Sequence, residues 1–267
     1  MTETEQKQKR MRQSLMGSAD ICLKRAGYDL VGDDKNTSES RIVGTAYHGG
    51  LEAYYRMRWW GQRPTWDDAR TGALNAFVNE RDLYQFSAWD TSQEEAWDKV
   101  EGMLRAYIDN GHAWPEDHRV LAVEQPFDLP LVDGWLLHGT IDLVIADPAG
   151  NVILEDHKTA KRKWPREKGA ARKSNQAVVY SYAWQRLTGQ EATGFTFAVM
   201  THRGEFERRW TKATPHMIDE ILKKAWTLTV LLQLPVEQLP PTTDHNLCSA
   251  AYCDHWDRCP MGAAASY

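Results

Sequence analysis

The chain has 267 residues, of which 42% are hydrophobic and 26% charged, so it can bury a sizeable core. Its 37 acidic and 32 basic residues give a formal net charge of −5, which excludes a uniformly basic, nucleic-acid-coating protein. No stretch approaches the ~20 apolar residues of a membrane-spanning helix, and the charged residues 1–12 are unlike a signal peptide. We therefore expect no membrane partner and a cytoplasmic location, in the host cytoplasm if the protein is viral.

Helices are predicted for the first part of the chain. Residues 1–16 predict a polar arm or a frayed helix, and the polar residues 33–40 predict a loop. Apolar residues then recur at helical spacing in three segments, at about 41–60, 66–86 and 93–111. Trp59 and Trp60 end the first of these helices. We interpret them as core residues, with a stacking surface for bases as the alternative.

Strands dominate from about residue 116 onwards. They are predicted at 120–127, 135–146, 152–158, 195–201 and 205–210. Helices are predicted at about 174–187 and 215–234. The turn-forming residues 147–151 make the second and third strands a hairpin. This order predicts one α/β domain, with a helical part at about 17–115, a core at about 116–235 and a cysteine-rich tail at about 236–267.

Two neighbouring strands carry acidic residues that suit a metal ion. Asp142 lies on the first strand of the hairpin, and Asp156 and Lys158 lie on the second. Side chains two residues apart on a strand point the same way, so Asp156 and Lys158 face together, opposite to Glu155 and His157. Carboxylates bind hard cations such as Mg or Mn, which polarise a phosphoryl oxygen and activate water. The pattern predicts phosphodiester hydrolysis, with an ordinary surface ion pair as the alternative.

Other polar residues can support this site. His48, early in the first long helix, suits a further Mn ligand or a phosphate contact, and a structural histidine is the alternative. Gln176 and Tyr180 are four residues apart, so they share one face of the predicted helix. A tyrosine at the edge of the core would give the same spacing. Glu124, on the preceding strand, is a candidate for a second metal ion or for a contact behind the first.

Basic residues are concentrated in residues 158–173, which hold eight Lys or Arg and a single acid. Such a local charge can contact a phosphate backbone although the whole chain is acidic. The DNA-binding candidates are Lys161, Arg162, Lys163, Trp164, Arg166, Arg172 and Lys173. The Trp164 ring can stack on an unpaired base, which favours single-stranded or frayed DNA. A solvated loop is the alternative.

These residues, in this order, resemble the RecB-like branch of the PD-(D/E)XK nucleases. The resemblance covers roughly residues 40–190, and its motifs are a helix His, a G-x-x-D strand, a (D/E)-x-K strand and a Q-x-x-x-Y helix. The corresponding residues are His48, Asp142 within Gly139-Thr140-Ile141-Asp142, Asp156 with Lys158, and Gln176 with Tyr180. The resemblance implies a restriction-endonuclease-like core, in which helices flank a mixed central sheet, beside a helical N-terminal subdomain.

The resemblance also implies a role for each residue. The metal ligands that it implies for Mg or Mn are His48, Asp142, Asp156 and the backbone carbonyl of His157. Lys158 would assist the attacking water, while Gln176 and Tyr180 would support the site.

The chain has four cysteines, Cys22, Cys248, Cys253 and Cys259. Four thiolates suit either a 4Fe-4S cluster or a tetrahedral Zn ion. One N-terminal cysteine and a C-terminal trio are similar to the iron–sulfur nucleases related to the AddB nuclease domain and to CRISPR-associated RecB-like exonucleases, which implies a cluster that tethers the termini. The trio departs from the C-x2-C-x5-C spacing of those proteins, because four residues separate Cys248 from Cys253.

Together, the residues and the resemblance predict a metal-dependent DNA exonuclease that hydrolyses phosphodiester bonds on single-stranded DNA or DNA ends. The expected pathways are recombination, repair and CRISPR-type DNA processing, with a helicase, a recombinase or a CRISPR-adaptation protein as partner. One alternative is a non-catalytic DNA-binding or adaptor subunit that keeps the fold and the cluster. The other is a zinc-stabilised structural protein with a fortuitous hairpin.

Overall fold

The computed structural model describes residues 8–32, 36–83, 85–86, 89–132, 134–164, 174–242, 247–250 and 252–264. The chain divides into two compact units. The larger unit comprises Lys35–Pro126 and Thr140–Ala213, and the smaller unit comprises Met1–Asp34, Phe127–Gly139 and Thr214–Tyr267. The boundaries expected from the sequence near residues 115 and 235 stay predictions.

Helices and strands are mixed along the described residues. The helices are α1 (Gln13–Ile21), α2 (Leu23–Val31), α3 (Glu39–Trp59), α4 (Trp66–Leu83), α5 (Gln93–Asp109), α6 (Asn175–Thr188), α7 (Pro215–Leu231) and α8 (Pro260–Ala264). The strands are β1 (Lys9–Arg12), β2 (Asn36–Thr37), β3 (Gln85–Phe86), β4 (Arg119–Val132), β5 (Trp135–Ala146), β6 (Val152–Ala160), β7 (Gly194–Thr201) and β8 (Phe206–Thr211). The α/β fold class predicted from the sequence is confirmed.

Most of the predicted elements are confirmed, with differences near the N-terminus. The three long helices are α3, α4 and α5, and β5 and β6 form the predicted hairpin. The interpretation of residues 9–16 as an arm or a frayed helix is wrong, because this segment forms β1 and the start of α1. Met11 and Met16 are fully buried there, so packing against distant residues stabilises elements that local pattern does not predict. The sequence predicts no separate bounds for α2, although this helix lies in the part at about 17–115 that is predicted to be helical.

The larger unit contains a mixed sheet. β6 is antiparallel to β5 and parallel to β7, and β8 is antiparallel to β7. The turn between β5 and β6 uses Gly150 at φ 85, and the backbone N–H of Asn151 donates to Asp147 Oδ1 at 2.8 Å. The parallel pair β6 and β7 requires a crossover connection, which includes α6.

Helices cover both faces of this sheet. On one face, Ile42 and Val43 of α3 share a buried cluster with Leu143, Ile145 and Met200 of the strands. On the other face, the ring of Tyr180 in α6 lies 6.2 Å from that of Phe195 in β7. Side chains of α3 and α6 can therefore reach the strand residues from both sides.

Two glycines let α3 and α4 approach closely. A Cβ atom at Gly72 would lie 2.5 Å from the backbone oxygen of Gly49, so a larger residue there would push the helices apart. The close contact holds α3 in place one residue after His48, which belongs to the candidate site described below.

The smaller unit joins both ends of the chain. β1 runs parallel to the first residues of β5. The ammonium group of Lys24 in α2 is buried and donates to the carbonyl oxygens of Val236 and Glu237 at 2.9 and 3.1 Å. No helix in the described part of the chain is both long and apolar enough to span a membrane.

Candidate active site

Five elements of the larger unit bring polar side chains to one place. They are His48 of α3, Glu124 of β4, Asp142 of β5, Asp156 and Lys158 of β6, and Gln176 and Tyr180 of α6. Leu143 lies opposite Glu155 in the antiparallel pair, so the next residues in that register are Asp142 and Asp156. Residues opposite each other in a ladder point to the same face of a sheet, which brings these two acids together.

Asp142 is buried and lies between two histidines. Its Oδ2 accepts a hydrogen bond of 2.8 Å from the backbone N–H of His157 and lies 3.4 Å from Nδ1 of His48. Burial raises the pKa of Asp142 above its ordinary value, although the charges of His157 and Lys158 act in the opposite direction. A cation nearby would therefore favour the ionised carboxylate.

The buried Asp156 pairs with the half-buried Lys158, and the prediction that they face together is confirmed. The Lys158 ammonium lies 2.7 Å from Oδ2 of Asp156. Burial is the main cause that raises the pKa of Asp156 to about 6, and the carboxylate of Asp142 adds to it. Burial lowers the pKa of Lys158, but the carboxylates of Asp156 and Asp142 outweigh this and raise it on balance. Lys158 is therefore an ammonium ion at neutral pH.

Gln176 connects Asp156 to Tyr180. Gln176 and Tyr180 lie together on one face of α6, as their spacing predicts. Its amide Nε2 donates to Asp156 Oδ1 and, at 3.1 Å, to the Tyr180 hydroxyl. Burial and the negative charge of Asp156 raise the pKa of Tyr180 well above its ordinary value, so the phenol stays protonated. The amide of Gln176 thus holds the carboxylate on the side away from Lys158.

His48, Glu124 and Asp142 form a candidate metal site. Their nearest ligand atoms all lie within 4.8 Å of one another. Burial and the carboxylates of Asp142 and Glu52 raise the pKa of Glu124 to about 8. Its backbone is also strained, since φ is 48 in a residue that is not glycine. A divalent cation would offset the repulsion between these acids, so the donor set fits such an ion.

The imidazole of His48 is in the form that binds metals. Burial and the positive charges of His157 and Lys158 lower its pKa to about 3, which leaves it neutral at physiological pH. His48 also has a hydrogen bond with the backbone of His157. The structure thus brings together His48, Asp142 and the His157 backbone of the expected ligand set. It adds Glu124, whereas Asp156 is held by Lys158 and Gln176.

A second network lies on the opposite face of β6. Glu155 is fully buried, and its Oε2 accepts a hydrogen bond of 2.8 Å from Arg208 Nε. Its Oε1 lies 3.3 Å from His157 Nε2 and 3.4 Å from the Tyr107 hydroxyl. Burial raises the pKa of Glu155, but Arg208 and His157 outweigh it and lower it on balance.

Sequence reasoning missed Arg208. Strand alternation turned Glu155 towards the core, and a buried carboxylate requires a charged partner. The sequence thus indicates that Glu155 needs a positively charged partner. It does not indicate which basic residue of the chain is that partner. Since His157 follows two residues later on the same face, this ion pair also holds the backbone that contacts Asp142.

A comparison with profiles of protein families shows to which family this chain belongs. A profile of the PD-(D/E)XK nuclease superfamily matches residues 23–260. The chain belongs to the PD-(D/E)XK nuclease superfamily. Nucleases of this superfamily use divalent metals, and the acids around Asp142 are a candidate site for one. The RecB-like branch within the superfamily stays a prediction.

Solved structures support the nuclease fold. The crystal structure of a protein named "Putative exonuclease" from Eubacterium rectale covers 96% of this chain and 92% of its own, with 14% identity and a TM-score of 0.52. A second crystal structure, of SSO0001, covers 94% and 96% with 13% identity, but its TM-score of 0.38 supports no argument. A comparison with curated protein sequences gives no match.

The described part of the basic segment is partly neutralised in this nuclease. Lys161 lies 3.6 Å from a carboxylate oxygen of Asp90, and Lys163 lies 2.9 Å from one of Glu205. Arg162 is exposed, whereas the ring of Trp164 is half-buried, 5.5 Å from that of Phe197. The remaining DNA-binding candidates, Arg166, Arg172 and Lys173, lie outside the described residues.

The interpretation of Trp59 and Trp60 as core residues is wrong. Their side chains are 44% and 62% exposed at the end of α3. The core of this helix ends at Tyr55, which is fully buried, so the last turn extends beyond the packed layer. Helical spacing predicts which face a residue occupies but not where along the helix the packing stops.

The four cysteines lie together in the smaller unit. Cys22, Cys248, Cys253 and Cys259 line one small cavity, and none forms a disulfide. Burial and the negative charges of the other three cysteines raise the pKa of Cys248. The segment is anchored to α2 by His255, whose Nε2 lies 2.6 Å from Asp29 Oδ1. The cavity thus offers four sulfur ligands, as a cluster or a metal ion would require.

Proposed function

We propose that this chain is a metal-dependent deoxyribonuclease of the RecB-like branch, acting as an exonuclease on single-stranded DNA or on DNA ends. The observation that supports the proposal best is the cluster of His48, Glu124 and Asp142 next to the pair of Asp156 and Lys158. An acidic metal site beside a fixed ammonium is the arrangement that phosphodiester hydrolysis needs.

We propose Mg or Mn as the metal ion. When bound, it would polarise a phosphoryl oxygen and lower the pKa of a water molecule. His48, Glu124 and Asp142 would hold it, and Asp156 with the carbonyl of His157 would complete the site if Asp156 exchanges its contact with Lys158. The neutral imidazole and the crowded carboxylates support this assignment.

Lys158 would act on the phosphate and the attacking water. Its ammonium is held at 2.7 Å from Asp156, so it can donate to a phosphate oxygen without a large rearrangement. Because its charge is positive at neutral pH, it would stabilise the negative charge that develops in the transition state. Gln176 would keep the Asp156 carboxylate in this position through its amide.

DNA as substrate and cleavage from an end are parts of the same proposal. The superfamily supports nuclease activity in general. The name of the structural relative from Eubacterium rectale and the resemblance to RecB-like proteins favour exonuclease activity. We further propose a cytoplasmic location, and recombination, repair or CRISPR-type DNA processing with a helicase, recombinase or adaptation partner.

We propose that the four cysteines hold a 4Fe-4S cluster. A tetrahedral Zn ion, with Zn–S bonds of about 2.3 Å, would require sulfur atoms roughly 4 Å apart. Among the described residues, the groups whose ligand atoms all lie within 4.8 Å of one another do not include these cysteines. The wider arrangement favours a cluster, whose cubane core is larger than a single ion.

A cleavage assay tests the proposed activity. Wild-type protein should degrade end-labelled single-stranded DNA with Mn or Mg and should be inactive in EDTA. Asp156→Asn and Lys158→Met should lower kcat by about 10³-fold, because each removes charge at the scissile phosphate, while DNA binding persists. Labels at the 5′ and the 3′ end identify the polarity.

The control is Asp109→Asn, which removes an exposed acid at the end of α5 and should leave cleavage unchanged. Full wild-type activity in EDTA would exclude the metal mechanism. DNA binding by the wild type without any cleavage would instead favour the non-catalytic adaptor.

A further inference from the structure

An exposed aromatic and basic groove lies at the end of α3. Its lining includes Tyr54, Trp59, Arg58, Arg63 and Arg119, and its volume is about 1070 Å³. All of these residues belong to the larger unit. Trp60 adjoins the groove in sequence and is 62% exposed. We call this region, with Trp60, the α3-end groove.

The groove and the candidate metal site lie on the same two elements. Trp59 follows His48 by eleven residues, which is about three helical turns, so both side chains lie on one face of α3, ~16 Å apart along its axis. In β4, Arg119 precedes Glu124 by five residues, a distance of about 16 Å along a strand. A ligand in the metal site could therefore extend along both elements into the groove.

Side chains between the two places keep this path polar. Glu52 and Arg56 lie on the same face of α3, between His48 and Trp59, and form an ion pair with an N–O distance of 2.7 Å. The Nε atom of Arg56 also donates to Glu52 Oε1, at 2.8 Å. A phosphate-bearing strand would meet a guanidinium that is paired with a carboxylate along this path.

The charges of the groove are mainly positive. Arg58 is fixed by hydrogen bonds to the carbonyl oxygens of Trp114, Pro115 and His118, which neutralise none of its charge. Arg63 and Arg119 form no ion pair within the described part of the chain. Two acids, Glu116 and Asp117, also line the groove, and Asp117 pairs with His118 at 2.7 Å.

We propose that the α3-end groove binds single-stranded DNA beyond the scissile phosphate, and this inference rests on the proposed function. The exposed rings of Trp59 and Trp60 would stack on unpaired bases, and Arg63 and Arg119 would contact phosphates. A separation of ~16 Å corresponds to about five nucleotides at 3.4 Å each, and to fewer in a stretched strand. The groove would thus hold a single strand while its end reaches the metal site.

Binding in EDTA tests the groove without cleavage. The fluorescence anisotropy of labelled oligo(dT) of about 20 nucleotides is measured with the wild type, Trp59→Ala/Trp60→Ala and Arg63→Ala/Arg119→Ala. The aromatic variant should bind at least about tenfold more weakly, because two bases lose their stacking interaction with a tryptophan ring. The arginine variant should reduce the slope of log K against log salt by about 1.4, the value for two phosphate contacts on a single strand.

Matched variants separate binding from folding. Trp226→Ala removes a tryptophan that is 56% exposed on α7, and it should leave the affinity unchanged. Trp59→Phe/Trp60→Phe keeps two rings for stacking and should restore most of the lost affinity. Thermal unfolding checks that every variant is folded. Equal affinity of all folded variants would overturn the proposal.

Cleavage in Mn distinguishes the groove from the proposed function. The loss of kcat/KM in the aromatic variant should be larger for the 20-nucleotide strand than for a trinucleotide, and should lie mainly in KM. Equal losses of kcat/KM for both lengths would overturn the proposal that the groove binds DNA. If the wild type binds oligo(dT) through these residues but cleaves nothing, the groove stands and the nuclease proposal fails. A wild-type dimer that Trp59→Ala/Trp60→Ala converts to a monomer would instead assign the groove to a second copy.

Discussion

Glu124 concentrates three unfavourable features in one residue. Its backbone has φ 48, its carboxyl group is partly buried, and Asp142 and Glu52 add negative charge around it. Strained residues of this kind persist where the surrounding structure holds them, and they are frequent at functional sites. A bound divalent cation would relieve the electrostatic part of this cost, which is why we include Glu124 among the ligands.

The pKa of Glu124 predicts how stability depends on pH. With a pKa of about 8 in the folded chain and 4.5 ordinarily, the folded state binds more protons than the unfolded state between these values. The contribution of Glu124 to stability without metal should therefore fall as pH rises from about 5 to 8. Glu124→Gln does not titrate, so it should show a smaller fall and a higher thermal midpoint than the wild type at pH 8 in EDTA.

Adding Mn at pH 8 should give the wild type a higher thermal midpoint than Glu124→Gln. A ligand at about 100 times its Kd stabilises by ~2.7 kcal/mol, which is roughly 5–10 °C in a protein of this size. The wild type should gain such a shift, and Glu124→Gln should gain much less. Differential scanning calorimetry at pH 5 and pH 8, with EDTA and with Mn, measures both effects. An equal Mn shift in the two proteins would remove Glu124 from the ligand set.

At the scale of elements, the hairpin of β5 and β6 separates two kinds of chemistry by its alternation. Asp142, Asp156 and Lys158 point to the face on which the candidate metal site lies. Glu155 points to the opposite face, where Arg208 of β8 is its charged partner. Since the peptide N–H of His157 donates to Asp142, the position of β6 determines the geometry of the site. The ion pair of Glu155 and Arg208 therefore helps to hold β6 in the position that places Asp142 and Asp156 on the opposite face.

Removing Arg208 tests this support. Arg208→Met should destabilise the protein by about 3–5 kcal/mol, because the buried Glu155 carboxylate would lose its partner. Glu155→Gln/Arg208→Met should recover part of that loss. Urea unfolding of the wild type, Glu155→Gln, Arg208→Met and the double variant measures the coupling free energy between Glu155 and Arg208. The control Arg70→Met opens an exposed pair with Glu101 and should cost at most about 1 kcal/mol. A cost of Arg208→Met as small as that of the control would contradict the argument.

At the scale of the whole molecule, the acidic site and the four cysteines belong to different compact units. The larger unit holds the acidic site, and the smaller unit holds the four cysteines. Cys22 and Cys259 are 237 residues apart in the chain, so a shared cluster would constrain the unfolded chain strongly. The contact of His255 with Asp29 adds only a local link between the same segments. We therefore expect the cluster to stabilise folding.

The proposed cluster would have a spectroscopic and a thermal signature. Protein purified without oxygen should be brown, with broad absorption near about 400 nm and about four irons and four sulfides per chain. Cys259→Ser should lose this absorption and lower the thermal midpoint, because the ligand set is incomplete. Ser249→Ala, in the same loop, should change neither. Stoichiometric zinc without iron would contradict the cluster and favour the zinc site.

Short-range patterns were enough for the elements that carry the catalytic candidates. The turn at 147–151 predicts the hairpin, and alternation places Lys158 beside Asp156. Four-residue spacing places Gln176 beside Tyr180 on one helix face. These relations depend on backbone geometry within a few residues, which the order of amino acids specifies directly.

Contacts between distant residues required the folded chain. Glu124 meets His48 across 76 positions, and Arg208 meets Glu155 across 53. Met11 is buried in a strand that forms by pairing with residues far along the chain, and Trp59 is exposed because the packed layer ends before it. Periodicity states which way a side chain points, but partners and exposure depend on how all elements pack, since burial and charge act through space and not along the chain.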